Sequence, residues 1–155
     1  MGSIIGPTPW WQANLVSACP EGTFLPDGSS IICKSGGTAW IVAPSCTQVN
    51  SAWAGGQYNS TQVGDKCCIC EWSGLETQLI NCGFNPCDWF VPSASQIQNP
   101  GYVCRSKWDA QCASHWSSTE SSATNAFNVE FCFGSPTSCN KCFTCLVRAF
   151  RCVTY

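Results

Sequence analysis

A chain of 155 residues is long enough for one domain with its own hydrophobic core. Hydrophobic residues make up 45% and charged residues only 10%, with eight tryptophans and a net charge of −2. That balance excludes a disordered tail, leaves no basic footprint for nucleic acid, and contains no apolar run of the roughly 18–20 residues a membrane span needs.

Residues 1–18 read as an N-terminal docking arm, and residues 19–155 as a single domain. Gly6-Pro7-Thr8-Pro9 cannot continue a helix. Trp10 and Trp11 are costly to leave in water, so they either pack on this domain or dock into a neighbouring subunit. From Cys19 onward the chain reads as short strands and turns. Ile31-Ile32-Cys33 and Thr38 to Ala43 are strands around Gly36-Gly37. Leu75 to Asn81 reads as a helix with Leu75, Leu79 and Ile80 on one face. Cys87 to Val91 reads as a strand entering a helix that Ser93 caps, with Gln96 completing a capping box and Asn99-Pro100-Gly101 ending it early. Phe127, Val129, Phe131 and Phe133 alternate as one face of a strand, and Cys145 to Val153 reads as the final strand. Few helices and many short strands predict an α+β or mostly-β domain.

Fifteen cysteines predict a disulfide scaffold with most sulfurs paired, and the odd count leaves at least one over. Cys139, Cys142 and Cys145 form a C-x2-C-x2-C run, and Cys67, Cys68 and Cys70 a second cluster. Such spacing suits a metal, but cysteines on neighbouring strands also sit near the ~5.5 Å that a disulfide wants. Disulfides are the favoured reading, with the metal site the alternative and no cofactor expected. The first basic residue is Lys34, and Pro7 and Pro9 break the only early apolar stretch, so no secretory leader is legible. Disulfides without a leader point to a virion component that is oxidised after release from its host. A secreted protein whose leader has been replaced is the alternative. So little charge also predicts a surface covered by partners, in a homo-oligomer or a larger assembly.

No catalytic residue is expected. His115 is the only histidine, no Gly-x-Ser-x-Gly elbow occurs, and the acids are scattered singly. His115 reads as a packed ring. Asp88 and Glu120 read as hydrogen-bonding groups of the fold, directed at backbone or at Ser117 and Ser118.

Four segments resemble one family in order and spacing. Trp40-Ile41-Val42-Ala43-Pro44 is similar to its opening "GLVAAP" strand. Asp88-Trp89-Phe90-Val91-Pro92-Ser93 resembles "DWFLPS", and His115-Trp116-Ser117-Ser118-Thr119-Glu120 resembles "YWSSSE". Leu146-Val147-Arg148-Ala149-Phe150 resembles the closing "VRPVRAF". Across residues 21–153 the chain thus resembles the Lcl C-terminal-type domain of collagen-like adhesins, in the C-type-lectin and formylglycine-generating-enzyme fold group. It departs from that family in its shortened helix after Ser93 and in its cysteine content.

The resemblance implies a C-type-lectin-like fold held by Asp88, Trp89, Pro92, Ser93, Trp116, Ser117, Ser118, Arg148 and Phe150. It implies a ligand face on loops across Thr119–Asn128 and Ser135–Thr144, with Glu120, Ser121, Thr124, Asn125, Asn128 and Asn140 as contacts. Such domains occur on bacteriophage tails and capsids and at the ends of adhesins. The expectation is therefore a non-catalytic virion surface protein, a tail-fibre, baseplate or capsid-decoration piece. Trp10 and Trp11 would bind other virion proteins, and the loops a host-surface glycan or protein. A structural cement protein and a secreted adhesin are the alternatives.

Overall fold

The computed structural model describes residues 10–155, with side chains from Ala13 onward. The first half of the arm, including Gly6 to Pro9, lies outside the described residues, as do the side chains of Trp10 and Trp11. Helix α1 spans Trp10–Ala18, and its Val16 is fully buried among residues of the main core. The end of the 1–18 segment therefore packs on the body of the domain.

Among the described residues, eight strands form two sheets. Strands β1 (Ser30–Ser35) and β2 (Thr38–Val42) make a hairpin whose turn residues Gly36 and Gly37 have φ of 59° and 82°. Positive φ at both central positions suits the turn whose twist matches a hairpin, and Gly adopts it without steric cost. Strand β8 (Phe150–Thr154) adds to β2 with Val42 opposite Phe150, giving a three-stranded sheet ordered β1-β2-β8. The second sheet contains β3 (Val49–Ala52), β4 (Ser114–Glu120), β5 (Asn125–Glu130), β6 (Ser135–Asn140) and β7 (Thr144–Val147), ordered β3-β7-β4-β5-β6. Its pairs are antiparallel except β4 with β7, which run parallel and meet at His115 and Leu146. Strand β6 is an edge strand and contains Pro136. Helices α2 (Ser73–Asn81) and α3 (Ala94–Gln96) are short. The chain is thus mixed α+β, mostly strands in two sheets.

Several local expectations are corrected. The segment Cys145 to Val153 is two strands in different sheets, broken at Arg148 and Ala149. Arg148 is only 2% exposed and every nitrogen of its guanidinium donates a hydrogen bond. Nη1 donates to Ala43 O and to Asp109 Oδ1, each at 2.9 Å, while Nε and Nη2 donate to Gln48 Oε1 at 3.1 and 2.9 Å. Drawing that side chain inward turns the backbone out of one sheet and into the other.

Cys87 to Val91 is no strand. Pro86 at the start of a helical turn (Pro86–Asp88), with the Asn85 side chain accepting from Cys87 N at 2.9 Å, winds it into a turn. Only Phe90 pairs in extended fashion, with Cys68 and with Phe150. The α2 face holds Leu75 and Leu79, one turn apart, whereas Ile80 is 57% exposed because a five-residue step leaves that face. Strand β5 ends at Glu130, so Phe127 is half-buried, Phe131 is buried and Phe133 is 80% exposed. A turn follows in which Cys132 N and Gly134 N both donate to Glu130, each at 2.7 Å. At Gly134 (φ 74°) the Tyr102 ring fills the space a Cβ would need.

The expected capping box is present. Ser93 Oγ accepts from Gln96 N at 3.3 Å, and Gln96 Oε1 accepts from Ser93 N at 2.9 Å. Asn99, which precedes Pro100, takes extended backbone (φ −146°, ψ 112°) and breaks the helical winding there.

The core has two parts. Trp53, Trp72, Trp89 and Trp116 lie in the larger, and Ile32, Trp108, Phe131 and Phe150 in the smaller. Trp116 and Phe150 are 1% and 0% exposed, so Trp116→Ala or Phe150→Ala empties a large, fully enclosed site. Each should cost about 3–5 kcal/mol in urea unfolding. A loss under about 1 kcal/mol would mean that these rings are not the anchors of their clusters.

Candidate functional site

The ends of β4, β5, β6 and β7 meet the 59–65 loop around one buried cation. Lys141 follows β6, and its side chain is completely buried. Its Nζ donates to Glu120 Oε2 at 2.7 Å, to Ala123 O at 2.9 Å and to Thr61 O at 3.0 Å, and it lies 4.8 Å from the Trp53 ring centroid. All three ammonium hydrogens are therefore used, which is what a desolvated lysine requires. The backbone is tied to the same place, since Lys141 N donates to Thr124 O and Trp53 N to Lys141 O. Glu120 in turn accepts from Val63 N at 2.8 Å and from Gly64 N at 2.7 Å. Burial pushes its carboxyl up, but the Lys141 hydrogen bond and the two amides outweigh that and hold it below the usual glutamate value.

The segments expected as loops, 119–128 and 135–144, are largely strand: the end of β4, most of β5, all of β6 and the start of β7. Of the expected contact residues, Ser121 and Thr124 are exposed on the β4–β5 turn, and Asn125 and Asn140 are half-buried beside them. Glu120 is committed to the internal ion pair, with its side chain only 5% exposed. Asn128 is buried, accepting from Thr137 Oγ1 and pointing its amide at the Cys145 sulfur. These two therefore face inward, because β5 alternates and the Lys141 pocket claims the carboxylate. The outward surface of the tip is instead Ser121, Ser122, Thr124 and Ser138, with Phe143 at 59% exposure. Ser138 Oγ donates to Ser121 Oγ at 2.9 Å, which links the β4–β5 turn to β6. The sequence reading missed Lys141 and Trp53, since one lysine inside a cysteine run carries no signal of burial.

Several fold-motif residues make interior hydrogen bonds and packing contacts. Ser117 O accepts from Trp53 Nε1 at 2.9 Å, and Ser117 Oγ donates to Phe127 O at 2.7 Å. Ser118 N donates to Pro92 O at 2.8 Å, while Ser118 O accepts from Lys66 N at 2.9 Å. Trp116 Nε1 donates to Ser51 O at 2.8 Å. Trp89 packs edge-on against Phe84, and the Arg151 guanidinium lies 5.5 Å from its ring centroid. Asp88 is pushed up by burial, partly offset by Arg151.

The cysteines behave differently from expectation. Two disulfides are closed, Cys68–Cys70 and Cys112–Cys132, and eleven cysteines are thiols. The sulfurs of Cys139, Cys142 and Cys145 do not gather into one group. Among the described residues the one such cluster is Cys112, Glu130 and Cys132, and its two sulfurs are bonded to each other. Burial pushes the Cys145 thiol up to about 12, with Cys139 nearby adding to the effect. A cleft of about 300 Å³ is lined by Cys67, Cys68, Cys70, Cys87, Trp89 and Phe90.

His115 is a packed ring. It stacks on Phe131 at 4.1 Å, its Nδ1 donates to Ala113 O at 2.9 Å, and its Nε2 is buried with no partner. Burial is the main reason its pKa falls to about 4.

Compared with known proteins, the chain matches no family model and no curated protein.

Two consequences are measurable. Lys141→Met leaves Glu120 buried without its partner and should cost about 3–5 kcal/mol in urea unfolding. In the Lys141→Met/Glu120→Gln double variant the loss should be smaller than the sum of the singles, and strict additivity would deny the pair.

The second consequence concerns pH. His115 is neutral when folded and titrates near 4, against 6.5 in the unfolded chain. Its contribution is therefore complete above pH 6.5 and is lost as the pH falls from 6.5 toward 4, on the order of 3 kcal/mol in all. Thermal unfolding from pH 7.5 to 4.5 should show that decline, and His115→Phe should flatten it.

Proposed function

We propose that the chain is a non-catalytic, C-type-lectin-like display module on a virion surface, and that it contacts a host-surface glycan or protein through its hairpin tips. The observation that carries this reading is the tip itself. Short hydroxyl side chains and one exposed phenylalanine stand on turns braced from beneath by the buried Lys141–Glu120 pair. Rigid backbone under small, adaptable polar groups is the design of many recognition surfaces, because little ordering entropy is lost on binding. The ordered resemblance of four segments to adhesin and phage-tail domains supports the fold-group assignment. Low charge supports residence in an assembly, with the N-terminal segment as the attachment.

A second reading, cement between virion subunits, draws on the exposed Phe133 (80%), Val103 (60%) and Phe24 (59%), which lie away from the polar tip residues in sequence.

One experiment separates them. The fluorescently labelled full chain is applied to an array of bacterial and animal surface glycans, together with Thr124→Arg and Ser138→Arg. Both positions are exposed, so the variants should unfold as the wild type does. Binding by the wild type that drops at least about tenfold in both variants (≈1.4 kcal/mol) supports the tip as the ligand face. Binding that both variants retain, or a wild type that binds nothing while incorporating into particles, overturns the glycan reading and favours cement.

A further inference from the structure

The two closed disulfides leave eleven thiols, and two pairs of these are held together by contacts that do not involve sulfur. The first joins α2 to the turn at Ser45–Thr47. Cys82 caps α2 one turn after Gln78, with its N–H donating to Gln78 O, so the two lie on the same side of the helix end. Gln78 Nε2 donates to the Cys46 carbonyl at 2.8 Å, so that side, and Cys82 with it, is turned to Cys46. The Cys82 thiol is pushed up to about 11, by burial first and by the adjacent Cys46 thiol next.

The second pair joins β1 to the turn at Arg105–Lys107. The Glu21 carboxylate accepts from Lys34 N at 2.8 Å and lies 4.0 Å from Lys107 Nζ. This clamps the residue after Cys33 against the turn that Cys104 opens. Both cysteines also pack on the smaller core cluster of Ile32, Trp108 and Phe150. Burial and the neighbouring Cys33 thiol raise the Cys104 thiol.

We infer that Cys46–Cys82 and Cys33–Cys104 are covalent cross-linking sites, each completed by a low-molecular-weight disulfide such as oxidised glutathione. In each case one S–S bond forms between the protein sulfurs. The two thiol hydrogens and two electrons pass to the reagent, whose own S–S bond breaks to give two thiols. The inference goes beyond the display reading and does not depend on it.

The bridges would close loops spanning 36 and 71 positions of sequence, and long loops are where a cross-link restricts the unfolded chain most. They would fasten α2 to the turn that precedes β3, and β1 to the segment that leads into β4. The raised Cys82 and Cys104 thiols are poor attackers at neutral pH, because only the thiolate attacks. Oxidation therefore belongs at mildly alkaline pH with long incubation.

The full chain, first reduced and freed of reductant, is incubated at pH 8.5 with mixtures of oxidised and reduced glutathione, and the oxidised share is raised until Cys112–Cys132 closes again. Acid quenching, alkylation and unreduced digestion with trypsin, Glu-C and Asp-N follow, the last cutting before Asp88 to separate Cys82 from Cys104, with mass spectrometry of the peptides. The expected result is peptides joined through Cys46–Cys82 and through Cys33–Cys104. Cys82→Ser should leave Cys46 alkylated and the other bridge intact, and Cys104→Ser should do the reverse. Reduction of the fully bridged chain should lower Tm by roughly 5–15 °C. Cys46 or Cys104 found mainly joined to another cysteine overturns the assignment. So does alkylation of all four thiols at a glutathione ratio that has closed Cys112–Cys132.

Discussion

A lysine ammonium held wholly out of water organises one end of this molecule. Removing such an ion from solvent is expensive, and the protein recovers the cost only by supplying a carboxylate, two carbonyls and an aromatic face at once. Those partners come from Trp53 and Thr61 on one stretch of chain and Glu120 and Ala123 on another, well before Lys141. The 59–65 loop has no strand partner of its own, yet it is placed by Glu120, whose remaining acceptor capacity takes the amides of Val63 and Gly64. The hairpin tips are ordered because they enclose this charge.

Arg148 does the same work at the junction of the two sheets. Four of its N–H donors reach the residue after β2, the residue before β3 and the approach to β4. A guanidinium is suited to this because its donors are fixed in one plane and it stays charged when buried. Around the two cations the tryptophans fill volume and also donate hydrogen bonds to backbone, as Trp53, Trp72, Trp108 and Trp116 all do. A chain with only 10% charged residues thus concentrates several of them inside, where each fixes many neighbours.

How much of this was legible in the sequence depended on range. The Gly36-Gly37 hairpin, the Ser93 capping box and the α2 helix follow from neighbours within four residues, and all three were readable. The break at Arg148 was not, since it is caused by Ala43, Gln48 and Asp109, and alternation along residues 145–153 looks continuous without them. The same holds for Glu120 and Asn128, which read as polar surface residues until the third dimension gives them partners. Lys141 sits in a run that advertises cysteine chemistry, and nothing in its neighbours marks it for burial. The C-terminal turn of α1 was hidden for another reason: a proline-rich start suggests detachment, while Val16, with Leu15 and Cys19 beside it, docks the helix end on the core. The cysteine count announced a scaffold without saying which sulfurs meet.

Strand β6 is the outermost strand of its sheet and carries Pro136, which has no N–H. On an edge strand that missing donor thins the row of groups an incoming strand would use, and the outermost strand is only six residues long. Copies of this domain packed at high local concentration therefore meet an edge that resists growing into a continuous cross-β ladder.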